Sequence, residues 1–183
     1  DTGTVLYGKN MDQPYYPASI TKILTALIVL EQCDLNEMVT FSHDDVYNVE
    51  AGSSSAGIDE GDVLTVRDCL YALMLASANE SANALACHVS GSREAFAQLM
   101  NEKAQSLGCT GSHFNNPSGL NDENHYTTAH DMALIASAAI QNPEFLTING
   151  TRSYQLAPTK RTPEGGYVAN HHKMLNKNEA VYY

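Results

Sequence analysis

The sequence has no tryptophan, no Cys-x-x-Cys pair, no His-Glu-x-x-His and no Gly-Lys-[Ser/Thr] step. It also has no run of 18 or more apolar residues, so no segment reads as a membrane-spanning helix. Four cysteines are present, Cys33, Cys69, Cys87 and Cys109, and the lack of a close pair argues against a structural zinc site. Their even number permits two disulfides, and their spacing requires none. Cys69 and Cys87 fall in apolar helical patterns, where a buried free thiol is the commonest state. Seven histidines offer no metalloprotease motif. His171 and His172 are adjacent and would face opposite sides of a strand, a poor metal pair. The Gly- and Ser-rich "GSSSAG" from Gly52 to Gly57 lacks the Lys of a phosphate loop and reads as a flexible connection. Basic residues are scarce: 10 against 21 acidic ones give a formal net charge of -11. That balance argues against nucleic acid and against unaided binding to an anionic membrane surface. The first ten residues, "DTGTVLYGKN", lack the basic and apolar regions of a signal peptide. They read as a strand entered partway along, with any targeting segment removed or not included.

What is present suits a globular fold. The 183 residues, 43% hydrophobic and 17% charged, can enclose a core. "TVLYGKN" (Thr4 to Asn10) predicts a strand ending in a turn. Ile20 to Leu30 is apolar on nearly every side and predicts a helix buried in the centre. "EMVTFS" (Glu37 to Ser42) predicts a short strand, and Ala51 to Asp62 a mobile loop. The acidic group Asp44, Asp45 and Glu50 reads as a solvated face. Four helices are predicted next. Thr65 and Asp68 form a T-x-x-D capping signature ahead of "VRDCLYALMLA". "ESANALACHVS" follows, with Gly91 as its C-terminal cap. "REAFAQLMNEKAQSL" is entered through Ser92 and closed by Gly108. "AHDMALIASAAIQ" has Thr128 and Asp131 in T-x-x-D spacing and is stopped by Asn142-Pro143. "RSYQLA", "TPEGG" and "YVANHH" then predict a hairpin. No βαβα alternation occurs, so the expected class is α+β, with first and last strands sharing an antiparallel sheet and a helical lobe inserted between them.

Ser19 and Lys22 break a local rule. Three residues apart, they share one helical face. A cation is the wrong sign for a helix N-terminus, and a lysine inside an apolar helix is costly unless paired or neutral. Both effects would lower the pKa of Lys22 and make it a neutral base beside the Ser19 hydroxyl. Free N–H groups of the first turn can help hold an oxyanion. That is the requirement for covalent acyl transfer. The competing meaning of S-x-x-K is an N-cap serine followed by a solvent-facing lysine. Ser77 and Asn79 in "MLASANESANALA" fall where one helix pattern pauses and the next begins. There they present a hydroxyl and an amide, or serve as a plain N-cap.

The two motifs together resemble the penicillin-recognising serine enzymes, in which S-x-x-K is joined by S-x-N and K-T-G. "TGTVLYGKNMDQPYYPASITKILTALIVLE", "GIDEGDVLTVRDCLYALMLASANESANALA", "GSREAFAQLMNEKAQSLGCTGSHFNNPSGL" and "HYTTAHDMALIA" resemble the low-molecular-mass D-alanyl-D-alanine carboxypeptidases over nearly the whole chain. The resemblance implies a β-lactamase/transpeptidase-like fold. Residues 1–35 would hold the first strand and catalytic helix, 36–145 the helical lobe and 146–183 the returning strands. It implies Ser19 as acylated nucleophile, Lys22 as its base, Ser77 as proton shuttle and Asn79 as holder of the substrate amide. Ala78 stands where many members have glycine. The implied substrate is the peptidoglycan stem peptide, with β-lactams as covalent inhibitors. No cofactor or metal is expected, and a membrane is met only through a C-terminal anchor. The family works outside the cytoplasmic membrane. K-T-G, whose lysine and threonine bind the substrate carboxylate, does not occur in the chain. It is expected beyond Tyr183, so this segment alone is expected to be inactive. A β-lactamase on the same fold and a non-catalytic wall-binding module are the alternatives.

Overall fold

The computed structural model describes residues 3–172. A short 3-10 turn, Ala18–Thr21, leads into helix α1, Lys22–Gln32. Strand β1 (Met38–Thr40), helix α2 (His43–Tyr47) and strand β2 (Val63–Thr65) follow, and then α3 (Val66–Leu75), α4 (Asn79–Ser90) and α5 (Arg93–Ser106). After a long connection come α6 (Ala129–Ala139), α7 (Pro143–Gly150), β3 (Ser153–Gln155) and β4 (Tyr167–Ala169). β1 pairs antiparallel with β2, Val39 opposite Leu64, and β3 pairs antiparallel with β4, Tyr154 opposite Val168.

Helix α1 is the centre, as its all-round apolar pattern requires. It packs against α3, α4, α5, α6 and α7, and Leu24 and Val29 are wholly buried. Side-chain caps start the surrounding helices. Thr65 and Asp68 close a reciprocal capping box on α3, Ser92 caps α5 and Thr128 caps α6. Gly91 ends α4 in the left-handed conformation. The β3–β4 hairpin docks on α3 through Tyr154, whose ring stacks on Tyr71 at 3.7 Å between centroids. All four cysteines are free thiols. Cys69 is buried, whereas Cys87 is only half-buried.

Several expectations need correction. Thr4 to Asn10 joins no ladder among the described residues, where its apolar side chains Leu6 and Tyr7 are exposed and the described part of the returning strands, β3 and β4, pairs with itself. Asn142-Pro143 does stop α6 but also starts α7. Asn142 Oδ1 accepts from the Glu144 and Phe145 N–H groups, and Pro143 sits where a helix needs no N–H. α2 was not anticipated; Ser42 and Asp45 form its capping box. Asp45 therefore lies buried, not on a solvated face. The loop Ala51 to Asp62 is fastened: Asn79 N–H donates to Ser54 O, and Glu80 Oε1 accepts from Ser55 Oγ and Ala56 N–H. The expectation for the returning strands of residues 146–183 lies within the described residues only as far as His172.

Candidate active site

Ser19 lies in the 3-10 turn and Lys22 is the first residue of α1, so the two side chains meet one turn apart. Lys22 Nζ is 3.3 Å from Ser19 Oγ. The lysine is 2% exposed. Two carbonyl oxygens take its N–H groups, Asn79 Oδ1 at 2.8 Å and the Ser118 backbone oxygen at 2.7 Å. Burial lowers its pKa from 10.5 to about 8, against an opposing pull from the Glu80 carboxylate. A neutral amine has two N–H donors and one lone pair. Asn79 and Ser118 engage the donors, which leaves the lone pair for the Ser19 hydroxyl proton.

Ser77 approaches from the α3–α4 turn. Its Oγ donates to Ser19 Oγ at 3.0 Å. Ser77 is one of the non-glycine residues with positive φ, at 57°, and Ala18, directly before Ser19, is another at 50°. L-residues pay about 1–2 kcal/mol for this conformation. Asn79 begins α4 and is nearly buried; its backbone holds Ser54 and its side chain holds Lys22. Two pairs far apart in sequence, Ser19 with Lys22 and Ser77 with Asn79, thus meet: Lys22 and Ser77 reach the Ser19 oxygen, and Asn79 holds Lys22. A hydroxyl flanked by a neutral amine and a second hydroxyl can lose a proton to one and receive or pass one through the other.

Four features were missed by the sequence reading. Ser118 contributes a backbone carbonyl, which no side-chain motif encodes. Gly119 is packed so closely that a Cβ there would stand 1.9 Å from the Ala18 oxygen; with φ at +81°, glycine is required on both counts. Glu80, 2% exposed, sets the field at Lys22 and ties down the loop. His125, 1% exposed, accepts from Asn115 N–H at Nδ1, so Nε2 carries the proton and donates to Thr21 Oγ1 at 2.9 Å. Burial lowers its pKa to about 4, with Asp122 opposing. Thr25 Oγ1 donates to the Pro117 carbonyl. The "NNPSGL" segment, visible as part of the family pattern, is therefore bolted to α1 at several points.

Ser19 opens onto a cleft of about 350 Å³ bordered by Tyr16, Ser54, Asn79, Ser118 and Asp122. A shallower hollow of about 440 Å³ reaches Ser19, Lys22 and Ser77 from the side of Asn149 and His171.

The chain is similar to known proteins along its whole length. A family model described as D-alanyl-D-alanine carboxypeptidase (Peptidase_S11) matches residues 1–183. The D-alanyl-D-alanine carboxypeptidase DacF of Bacillus subtilis is 34% identical over 179 residues, covering 96% of this chain and 45% of the relative. DacB2 of Mycobacterium tuberculosis is 38% identical over 155 residues, covering 84% and 52%. The chain thus spans about half the length of these relatives. The S216A mutant of Streptomyces K15 DD-transpeptidase superposes with a TM-score of 0.89 at 34% identity, covering 97% of this chain and 73% of that one. With the fold of a DD-transpeptidase and a family match from end to end, the chain belongs to the D-alanyl-D-alanine carboxypeptidase family of serine peptidases.

Proposed function

We propose that the protein is a serine D,D-carboxypeptidase that removes the terminal D-alanine from peptidoglycan stem pentapeptides. The observation that carries this reading is the set of contacts on one oxygen: Lys22 Nζ at 3.3 Å and Ser77 Oγ at 3.0 Å from Ser19 Oγ, with the lysine buried and its N–H groups engaged elsewhere. Neutral Lys22 takes the Ser19 proton as Oγ attacks the carbonyl between the two D-alanines. The C–N bond breaks, and the departing amine of D-alanine receives a proton through Ser77. The acyl group remains on Ser19 as an ester until water hydrolyses it. Asn79 has a second duty: besides fixing Lys22, its side chain borders the cleft where the substrate amide would lie. A β-lactam enters the same path because its strained amide mimics the D-Ala-D-Ala bond. The reading places the protein's work outside the cytoplasmic membrane, where stem peptides are.

The test is labelling of the intact protein with a fluorescent penicillin, followed by mapping of the modified peptide. A covalent adduct on Ser19, lost in Ser19→Ala, together with release of D-alanine from a D-Ala-D-Ala-terminated peptide, is expected. No adduct, or one that survives Ser19→Ala, overturns the assignment. Rapid turnover of a chromogenic cephalosporin in place of a lasting adduct would make the protein a β-lactamase instead.

A further inference from the structure

Helices α1 and α4 carry Lys22 and Asn79 at their N-terminal ends. Their C-terminal ends meet again, about 16 Å away by the length of α1. There Cys33, directly after α1, Glu37, just before β1, and His88, in the last turn of α4, bring one donor atom each within 4.8 Å of one another. We propose that these three side chains form a binding site for a divalent cation of zinc-like chemistry.

The donor set argues for this class of metal. Thiolate, imidazole and carboxylate together favour a borderline ion such as Zn²⁺ over Mg²⁺ or Ca²⁺, which need oxygen ligands. A tetrahedral Zn²⁺ with bonds of about 2.0–2.3 Å holds its donors roughly 3.3–3.7 Å apart. His88 Nε2 and Glu37 Oε2 stand at 2.8 Å, so small side-chain rotations centre an ion among the three. The backbone beneath is fixed. Cys33 N–H donates to Val29 O, the Glu37 carbonyl accepts from Val66 N–H, and Glu37 Oε1 accepts from Asp34 N–H. An ion pair between His88 and Glu37 accounts for those two groups but leaves the thiol unexplained. Cys33 and His88 are half-buried and Glu37 is exposed, so a fourth position faces solvent and would carry water. Binding replaces the S–H bond with a sulfur–metal bond and releases one proton to solvent. The ion would brace the far ends of the two helices whose near ends hold the acyl-transfer groups. This inference rests on different residues from those of the proposed reaction.

Co²⁺ added alone to chelator-treated intact protein supplies the test. One equivalent should produce a thiolate-to-cobalt charge-transfer band with tetrahedral d–d absorption, and Zn²⁺ should displace it. Cys33→Ser should abolish the charge-transfer band, and His88→Ala should weaken binding at least about tenfold. Cys87→Ser, a neighbour in sequence, and Ser19→Ala should leave the band intact. Zn²⁺ should raise the melting midpoint of the wild type and not of Cys33→Ser. No band at stoichiometric Co²⁺, or a band that persists in Cys33→Ser or disappears in Cys87→Ser, overturns the proposal. Failure of penicillin labelling leaves this site untouched, so the two readings fail separately.

Discussion

The rate at which Ser19 is acylated should rise with pH through Lys22 between pH 6 and 9. An ordinary lysine with a pKa of 10.5 is neutral in only about 1 molecule in 3,000 at pH 7. With its pKa lowered by burial to about 8, Lys22 is neutral in about 1 in 10, a gain of roughly 300-fold in free base. The sign follows from the role: a base works when deprotonated, so the rate rises with pH. It should climb close to tenfold per pH step below about 7.5 and level off above about 8. The readout is the second-order rate of labelling by a fluorescent penicillin at concentrations far below saturation, which reports the free enzyme. His125, held at about 4, titrates outside this window and cannot imitate the limb. Lys22→Arg keeps a cation and cannot become neutral, so its labelling should fall by roughly 10²–10⁴-fold while circular dichroism shows the fold retained. A profile flat from pH 6 to 9, or one with its inflection near 10.5, would refute the neutral-lysine mechanism.

Further outcomes follow from the residues around Lys22. Glu80 raises the Lys22 pKa, so Glu80→Gln should move the rising limb to lower pH; Gln can still accept from Ser55 and Ala56, and an unmoved inflection would sink the argument. Gly119→Ala places a Cβ against the Ala18 carbonyl in a left-handed conformation and should cost roughly 2–4 kcal/mol in urea unfolding, with slower labelling. His125 is held neutral by burial, its folded pKa of about 4 lying below its ordinary 6.5. Between those values the unfolded chain binds more protons, so stability is full above about 6.5 and declines as pH falls toward 4. His125→Gln should flatten this decline between pH 6.5 and 4 in unfolding midpoints, and a slope equal to the wild type's would count against it.

How much of this was legible depends on range. The caps of α3 and α6 could be read because each sets a threonine three residues ahead of an aspartate before an apolar run; α3 closes a full capping box, whereas on α6 only Thr128 caps and the Asp131 carboxylate accepts from Gly111 N–H and Ser112 Oγ. Ser42 and Asp45 use the same chemistry, yet "HDDVY" has no such run, and α2 was missed. Asn142-Pro143 carries two meanings, an end for the helix before and a start for the one after, and only packing of Phe145 and Ile148 into the core selects both. Thr4 to Asn10 alternates like a strand, but alternation alone does not set a ladder, and none is formed by this segment among the described residues. At the site, the side-chain motifs gave Ser19, Lys22, Ser77 and Asn79. The groups that position them lay outside reach because one is a backbone carbonyl and the others are single buried residues far along the chain.

Those unreadable groups decide whether the readable ones can work. Ser118 can offer its carbonyl to Lys22 only because Gly119 lets the chain press against Ala18, and Ala18 in turn holds a left-handed turn just before Ser19. The Pro117 carbonyl on Thr25 and the His125 contact with Thr21 fix the same segment to α1 on either side of Lys22. Ser77 meets Ser19 from another left-handed turn. Two non-glycine residues in an unfavourable conformation and one buried lysine would each destabilise an isolated helix end. They persist because α1 is anchored by wholly buried Leu24 and Val29 and enclosed by five other helices. The energy of that core is thus what lowers the pKa of a buried amine and keeps a hydroxyl within its reach, and weakening the core at Leu24 should loosen Lys22 before it unfolds the chain.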